Sequence, residues 1–501
     1  MPSPVVNSAD AAAVVEHCGS SAFAGAVVVR NFASLLAGRF ISQLIGFVSN
    51  AYLARRISPG GFGAVAVAQA VMTYLAIFSD SGLSVIAVRE ASQRPGKLQE
   101  LISSISALRL LMAVVCATAG LACADFLPYS QSSRGMLRIF ALSLPFQAIA
   151  VDWAFRALQR MHYSAILDVA GSAGTLLLTI ALIRDPGHGI LVPVIALVVA
   201  SVRALLSVWV LRGIGFRLTL DFRPRLFYTY LSQSLPLCAS SLAITFYIQA
   251  NYLILGKVHG EGAVGFYAAA AKLTAPLSGL QGLYYAAMAP TLMVLYVESK
   301  RKAAVFLAQS VRLTAILGVG MCAIGFPASR MLVTAAFGPA FEEAVPVFAL
   351  MLGSAALVAI GHNWAQLLIA AQGERLLLGS TAVGGLANLA VCAALVQRFG
   401  PVGAAIGNLS AELLVHVALV LFCKRLGVGG VRAAAGPAVS GACGLVAALL
   451  VSPLGLTASL LVSIVAYGSM LFATRSVIWT DICALGKAIR IRKLQVPVLY
   501  G

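Results

Sequence analysis

The amino-acid sequence predicts an all-α polytopic membrane protein. Of its 501 residues, 60% are hydrophobic and 10% are charged, whereas soluble domains carry roughly 25% charged residues. Apolar runs of about 20 residues, the length of one membrane crossing, recur along the chain. These runs lack the alternation typical of strands, and a backbone surrounded by lipid must form its hydrogen bonds internally, so we expect them to be helices.

About fourteen membrane-spanning helices are expected at this span length. They begin near Phe32, Phe62, Leu101, Met136, Tyr163, Ile190, Tyr230, Ala263, Ala304, Val345, Leu376, Pro401, Val431 and Leu456. Lys and Arg concentrate in the two tails and in the loops on the same side, whereas the other loops hold few, among them Arg55, Arg56 and Lys257. Because cytoplasmic loops are enriched in basic residues, both tails are predicted to lie in the cytoplasm.

The first two helices and their turn recur in the second half of the chain. Tyr52 and Gly63 flank a basic, glycine-containing turn, and Tyr252 and Gly265 flank a similar turn roughly 200 residues later. The repeat predicts two pseudo-symmetric six-helix bundles plus two extra C-terminal helices. In membranes this is the usual architecture of a transporter whose site lies between its halves.

The repeat and the charge pattern predict six segments. They are 1–29, a cytoplasmic tail; 30–213, an N-terminal six-helix bundle; 214–229, a basic cytoplasmic linker; 230–425, a C-terminal six-helix bundle; 426–476, two additional helices; and 477–501, a basic cytoplasmic tail. No cleavable signal peptide is expected, because the first basic residue is Arg30.

Composition and motifs also exclude several classes of function. The net charge of +18 is explained mainly by the cytoplasmic loops, so membrane lipids are the expected anionic neighbours and nucleic acid is not implied. The nine cysteines form no CxxC pair and favour core packing over metal binding. The loops are short, and no Walker motif, Ser-His-Asp order or metal-ligand spacing occurs. We therefore expect no cofactor and no enzyme activity.

A series of motifs follows the chain in a fixed order. They are Arg39; the turn from Tyr52 to Gly63; Asp80-Ser81-Gly82-Leu83-Ser84 with Arg89-Glu90; Val264-Gly265-Phe266-Tyr267 with Lys272; and Phe337-Gly338-Pro339-Ala340-Phe341 with Ala344-Val345-Pro346. Together they resemble the polysaccharide-transport branch of the multidrug/oligosaccharidyl-lipid/polysaccharide exporter superfamily. The resemblance covers residues 30–475, and Ser58-Pro59-Gly60 is a minor departure from its turn motif.

This resemblance implies that the chain flips an undecaprenyl-diphosphate-linked oligosaccharide from the cytoplasmic to the outer leaflet of the bacterial inner membrane by alternating access. The oligosaccharide would serve exopolysaccharide, capsule or O-antigen synthesis, with a polysaccharide polymerase and chain-length proteins as further partners of a monomer. Three alternatives stay open: a peptidoglycan-precursor flippase, a drug or cation antiporter of the same superfamily, and a membrane polysaccharide polymerase. The last usually shows a large external loop, which this chain lacks.

Basic residues inside the spans are the first candidates for cargo contacts, since a charge at mid-bilayer costs roughly 2.5–3.5 kcal/mol on insertion scales. Lys272 lies about ten residues into its span, near the middle of the membrane. Arg39 shares a helix face with Gln43 and Asn50. Gln249 ends a matching polar stripe on span seven. We expect this set to line a wet cavity and to bind the diphosphate or acidic sugars.

Two further arginines inside the spans are substrate-binding candidates, although their equivalent places in the two repeats suit a structural role equally well. These are Arg109 and Arg312. For all the intramembrane cations, the alternative is a structural ion pair with Asp80, Asp152 or Glu412 that holds helices together.

Polar residues in the spans are candidates for ion coupling. Asp152 and Arg156 are four apart and can simply pair with each other. Glu412 and His416 have the same spacing, and a buried Glu beside a His can titrate near neutral pH. A polar contact between helices explains the second pair equally well. Arg203, close to the end of its span, is expected to snorkel to the interface.

Overall fold

The structure, a computed structural model, describes residues 21–427 and 431–477. Helices are the regular elements of these residues, and no strand occurs among them. The α-helices are α1 (Ser21–Arg56), α2 (Pro59–Asp80), α3 (Leu83–Gln93), α4 (Leu98–Cys123), α5 (Gln131–Ala141), α6 (Leu144–Ile149), α7 (Asp152–Ala157), α8 (Met161–Leu182), α9 (Leu191–Gly213), α10 (Pro224–Glu298), α11 (Lys300–Phe337), α12 (Ala344–Ala370), α13 (Glu374–Arg425), α14 (Ala435–Val451) and α15 (Leu456–Ala473).

Two of the helix starts are fixed by serine caps. The Ser58 side chain accepts a hydrogen bond from the Gly61 backbone N–H at 3.2 Å, and Pro59 occupies the first position of α2. Ser130 caps α5 in the same way, through the Ser133 N–H at 3.2 Å. Such caps satisfy backbone donors that the helix itself leaves free.

Eleven helical stretches of the described residues are long and apolar enough to cross a membrane. Two of them, Ile248–Glu298 and Glu374–Arg425, have 51 and 52 residues, more than twice the roughly 20 of one crossing. Each contains a glycine with non-helical backbone angles, Gly260 in α10 and Gly400 in α13. The prediction of an all-helical polytopic membrane fold is confirmed, whereas the count of fourteen crossings remains a prediction.

Spans two and four are interrupted, although the sequence analysis treats each as one run. α2 ends at Asp80, and Ser81 and Gly82 then take left-handed angles, with φ 47° and 77°. In span four, α6 ends at Ile149 and Ala150 is extended. Each interruption frees backbone groups that need partners from neighbouring helices.

The described residues form two compact units. The first comprises the described residues through Leu280 with 336–344 and 388–404, and the second comprises 281–335, 345–387 and the described residues from Ala405 onward. This grouping reflects proximity, so the two bundles inferred from the repeat remain a prediction. In the first unit, one apolar core surrounds Trp153 and Phe155 and another surrounds Phe140.

The basic linker is fastened to the start of α4 within the first unit. The Gln99 side chain donates to Arg217 O at 2.6 Å and accepts from Arg217 N at 3.0 Å. Arg223 pairs with Asp221 and Glu100, each at 2.7 Å, and the hydrogen bond to Asp221 raises the pKa of Arg223 above its ordinary value. α10 starts inside the predicted linker, at Pro224, a helix position where a missing backbone N–H costs nothing.

The second unit holds the two additional helices. Its core surrounds Trp364 and Leu367. α14 packs on α15, and two hydrogen bonds attach α15 to α11: the Tyr467 hydroxyl donates to Ile316 O at 2.6 Å, and the Ser463 hydroxyl donates to Ala323 O at 2.7 Å. The additional helices are therefore part of this unit's packing.

We expect Tyr467→Phe to destabilise the protein by about 1 kcal/mol, because the ring is kept and one buried hydrogen bond is lost. Thermal unfolding of the purified protein in detergent measures the change. Tyr228→Phe, at an exposed tyrosine, is the control and should leave the unfolding temperature unchanged. Equal unfolding temperatures for both variants would contradict the attachment.

Candidate functional site

Gln43 joins α1 to the part of α10 that follows Gly260. Its side-chain N–H donates to Ala275 O at 2.7 Å. Gly279, one turn further along α10, faces the Gln43 amide so closely that a Cβ at this position would overlap the amide oxygen. Gln43 thus lies directly against the α10 backbone, and the absence of a side chain at Gly279 permits the approach.

Lys272 lies on this same stretch of α10. It precedes Ala275 by three residues and Gly279 by seven, so all three share one helix face. Its side chain is partly buried, and the described residues provide it with no carboxylate or hydrogen-bond partner. Lys272 therefore lies on the helix face that Gln43 contacts, and the sequence analysis predicts that both residues bind the cargo.

Arg39 lies one helical turn before Gln43 on α1 and is exposed. The two helices are antiparallel, since the end of α1 leads into Pro59, which lies beside the start of the second part of α10. Along the helix axes Arg39 and Lys272 are consequently roughly 10 Å apart, on either side of Gln43. Asn50, the third member of the stripe, donates to Gly46 O of its own helix.

Gln249 lies in a second polar contact of the first unit. Its side chain donates to the Thr73 hydroxyl at 3.3 Å and so links α10 to α2. Next to it, Asn251 and Asn388 exchange amide hydrogen bonds, and Asn251 also donates to the Tyr267 hydroxyl at 3.0 Å. The sequence analysis missed this asparagine pair, although two asparagines inside apolar spans are a visible signal.

Arg109 is held by the two interrupted spans. Its Nε lies 3.1 Å from Asp80 Oδ1, at the end of α2, and its Nη1 donates to Ala150 O, where α6 ends, at 3.2 Å. The distance to Asp80 is that of an ion pair, although the Nε–H is not aligned for a hydrogen bond. Both partners lie at helix C-termini, which favour a cation. This arrangement favours the structural alternative for Arg109.

The partner of Asp152 differs from the sequence expectation. Arg203 binds Asp152 at 3.0 Å and Asp168 at 2.6 Å. The expected pair of Asp152 with Arg156 is therefore wrong, and Arg203, which is expected to snorkel to the interface, binds two carboxylates. Asp168, missed by the sequence analysis, supplies a second carboxylate, and the side chains of α7, α8 and α9 are tied by one guanidinium.

The coupling candidates Glu412 and His416 lie in the second unit. His416 Nδ1 is 2.6 Å from Glu412 O and 3.7 Å from the Glu412 carboxylate. The His416 ring packs on Gly361 so closely that a Cβ there would overlap it. Arg312, on α11, has an interaction partner of its own. These contacts fit the polar interhelical alternative at least as well as a coupling role.

A buried amide network in the second unit was missed by the sequence analysis. Asn363 donates to the Thr314 hydroxyl at 2.8 Å and accepts from the Ser310 hydroxyl at 2.5 Å. Tyr284 shares the Ser310 hydroxyl, and the Tyr285 hydroxyl donates to Ala359 O. Each group has a partner, as buried polar groups require.

The first unit thus has two kinds of cation on its helices. Arg109 and Arg203 are neutralised by aspartates, whereas Lys272 and Arg39 have no carboxylate partner among the described residues. No group of three or more His, Cys, Asp or Glu side chains suited to a metal occurs in the described part of the chain. Uncompensated cations beside a polar helix contact can bind an anion.

The described residues form a polytopic helical bundle with interrupted spans and with cations that lack a carboxylate partner. These features are typical of membrane transporters. The family follows from a comparison of sequences. The sequence model of the family described as "Polysaccharide biosynthesis protein" matches residues 28–295, more than half of the chain. The chain belongs to this family, and the resemblance found in its motifs is confirmed.

The known proteins that are similar to this chain include a protein named as a transporter and one named as a flippase. A protein of Escherichia coli (strain K12) named "Putative O-antigen transporter" is 21% identical over 403 residues, which are 79% of this chain and 96% of that protein. The lipid II flippase MurJ, in an inward closed conformation, has a similar fold, with a TM-score of 0.73, 12% identity and coverage of 90% of this chain and 99% of MurJ.

A multidrug resistance MATE family transporter of the MOP superfamily, in an inward-facing conformation, is also similar. Its TM-score is 0.60 at 16% identity, with coverage of 77% of this chain and 95% of that transporter. At such identities the structures establish the fold. The protein is a multi-pass membrane protein of the polysaccharide biosynthesis family.

We expect Arg109→Ala to lower the thermal stability of the purified protein, because Ala150 O and the Asp80 carboxylate lose their partner. An unsatisfied buried group costs about 1–3 kcal/mol. Arg138→Ala, which breaks an exposed pair with Asp125, is the control and should change stability by less than ~1 kcal/mol. A stable Arg109→Ala protein that fails in transport would instead assign Arg109 to the cargo.

A double-mutant cycle separates the two possible partners of Asp152. Asp152→Asn and Arg203→Ala should be coupled by about 0.5–3 kcal/mol in thermal unfolding, because the two side chains are in contact. Asp152→Asn and Arg156→Ala should be additive to within about 0.5 kcal/mol. The reverse pattern of coupling would restore the pair that the sequence predicts.

Proposed function

We propose that the protein flips undecaprenyl-diphosphate-linked oligosaccharide repeat units from the cytoplasmic to the outer leaflet of the bacterial inner membrane by alternating access, for exopolysaccharide, capsule or O-antigen synthesis. One observation carries the proposal. In a member of the polysaccharide biosynthesis family, Lys272 and Arg39 stand on adjoining helix faces without a carboxylate among the described residues.

The cost of an intramembrane charge supports an anionic cargo. An unpaired cation at mid-bilayer costs roughly 2.5–3.5 kcal/mol on insertion scales, so water or a ligand must offset it. The same unit supplies aspartates to Arg109 and Arg203. A fold that pairs Arg109 and Arg203 but leaves Lys272 without a partner among the described residues favours a bound anion over a structural role for that lysine.

The spacing of the two cations suits a diphosphate. Arg39 and Lys272 are roughly 10 Å apart along the helix axes, and both side chains are long enough to reach an anion held between them. Arginine binds phosphate through a planar fork, whereas lysine acts as a compact charge. Gln43, whose amide bonds the α10 backbone, would hold the two helices in register.

The names of similar proteins agree with such a cargo. They include an O-antigen transporter and a lipid II flippase. A drug or cation antiporter would favour an acidic cavity, which Lys272 and Arg39 oppose. We further propose that both termini are cytoplasmic, that Glu412 with His416 is the coupling candidate, and that a polysaccharide polymerase and chain-length proteins receive the product.

We expect Lys272→Ala and Arg39→Ala to lower export of the lipid-linked oligosaccharide by about tenfold or more, because one charge-assisted bond to phosphate contributes about 1.5–3 kcal/mol. Surface polysaccharide in a flippase-deficient strain and transport in proteoliposomes measure the effect. Lys272→Arg and Arg39→Lys should retain part of the activity.

Lys257→Ala provides the matched control, since it removes an exposed lysine from the same helix. It should export at the wild-type rate. Membrane fractions must contain each variant at the wild-type amount. Wild-type export by both Lys272→Ala and Arg39→Ala would defeat the site assignment.

A further inference from the structure

At one end of the first unit, the two turns of the repeat meet backbone to backbone. A Cβ on Gly63 would overlap Glu261 O, and a Cβ on Gly265 would overlap Pro59 O. Each glycine thus faces the carbonyl four residues before the other glycine. The contact has the two-fold symmetry that the repeat predicts for Gly63 and Gly265, and it requires glycine at both positions.

The Glu261 side chain extends this contact to the start of α5. Its carboxylate accepts hydrogen bonds from Ser130 N at 3.0 Å, from Ser130 Oγ at 2.8 Å and from Ser133 Oγ at 2.5 Å. Backbone donors at a helix N-terminus favour a carboxylate. α10 is thereby fastened to α5 through one side chain.

Other side chains of this end belong to the same assembly. The ring centroids of Phe62 and Phe341 are 5.7 Å apart, and those of Phe266 and Phe341 are 6.2 Å apart. The Arg55 side chain donates to Ala336 O at 3.0 Å. Turns that are distant in sequence are therefore in contact here. All of these residues belong to the first unit.

The fastening has properties of a releasable contact. Glu261 binds hydroxyls and one backbone N–H and has no cationic partner among the described residues, so separation requires no opposite charge to be exposed. At Gly63 and Gly265 the two backbones meet with no side chain between them, so at this point the helices can separate without withdrawing a side chain. Bistable packing of this kind is the basis of conformational switching.

We propose that Glu261, Ser130 and Ser133, together with the Gly63–Gly265 contact, form a latch that holds this end of the transporter closed and must open in each transport cycle. The role in transport rests on the proposed function. Glu261 acts on the position of α10, the helix that carries Lys272, and it is therefore a positioning residue.

The latch can be tested by the accessibility of a thiol. In the full-length chain with its nine cysteines replaced, Val264→Cys puts a reporter at a fully buried position beside Gly265. The purified protein in nanodiscs is treated with a hydrophilic maleimide, which reaches both faces. We expect Glu261→Gln and Gly63→Ala to raise the labelling rate by about tenfold or more, since each disrupts the closed contact.

Two matched variants control for general loosening. Glu343→Gln changes an exposed glutamate, and Gly262→Ala adds a methyl group where no atom lies within 4 Å. Both should label at the unmodified rate. An unchanged rate in Glu261→Gln and Gly63→Ala, or an equal rise in the controls, would overturn the latch.

A cleavable crosslink tests the role in transport. Ser132→Cys with Gly262→Cys leaves Ser130, Ser133 and Glu261 in place. Joining the two thiols with a short bis-thiosulfonate reagent should stop export of the lipid-linked oligosaccharide, and a reductant should restore it. Continued export by the crosslinked protein would overturn the latch. If thiol labelling responds as expected while the uncrosslinked protein exports no such oligosaccharide, the latch stands and the cargo assignment fails.

Discussion

The cost of placing a charge in hydrocarbon governs this structure more than any other constraint. The aspartates of spans two, four and five are committed to Arg109 and Arg203, which tie five spans of the first unit together. Such pairs help to select which helices pack together, because lipid tails are as apolar as the side chains and the hydrophobic effect does not drive helix association in the membrane. The same constraint makes Lys272 and Arg39 informative, because the fold neutralises Arg109 and Arg203 but leaves these two cations without a carboxylate among the described residues.

Backbone polar groups that are shielded from water also need partners. In this structure an arginine side chain supplies one such partner, and glycines allow two backbones to approach each other closely. Where span four is interrupted, the free carbonyl of Ala150 is bonded by Arg109, so one side chain satisfies both a charge and a carbonyl. Where the two repeat turns meet, Gly63 and Gly265 remove side chains and let peptide groups touch. Small residues serve this purpose widely in membrane proteins, since close packing replaces the hydrophobic effect between helices.

Composition and motif order were sufficient to predict the helical fold and the family, because a lipid-exposed backbone has few structural options. The correspondence of Gly63 with Gly265 was also readable from the sequence, and the two glycines meet in the structure. The partner of Asp152 was not. Arg156 is one turn away in sequence, yet Arg203 is the residue in contact, and helix rotation in the bundle decides between them. The interruption after Ile149 likewise has no glycine to announce it.

The latch and the cation site lie on one rigid element. Lys272 follows Gly265 by seven residues in the second part of α10, so the two are roughly 10 Å apart along the same helix. A movement that separates Gly265 from Gly63 must also shift Lys272 relative to Arg39 on α1. A ligand can bias two conformations only through different affinities for them. An anion bridging Arg39 and Lys272 meets that condition, since its contacts change whenever the latch opens.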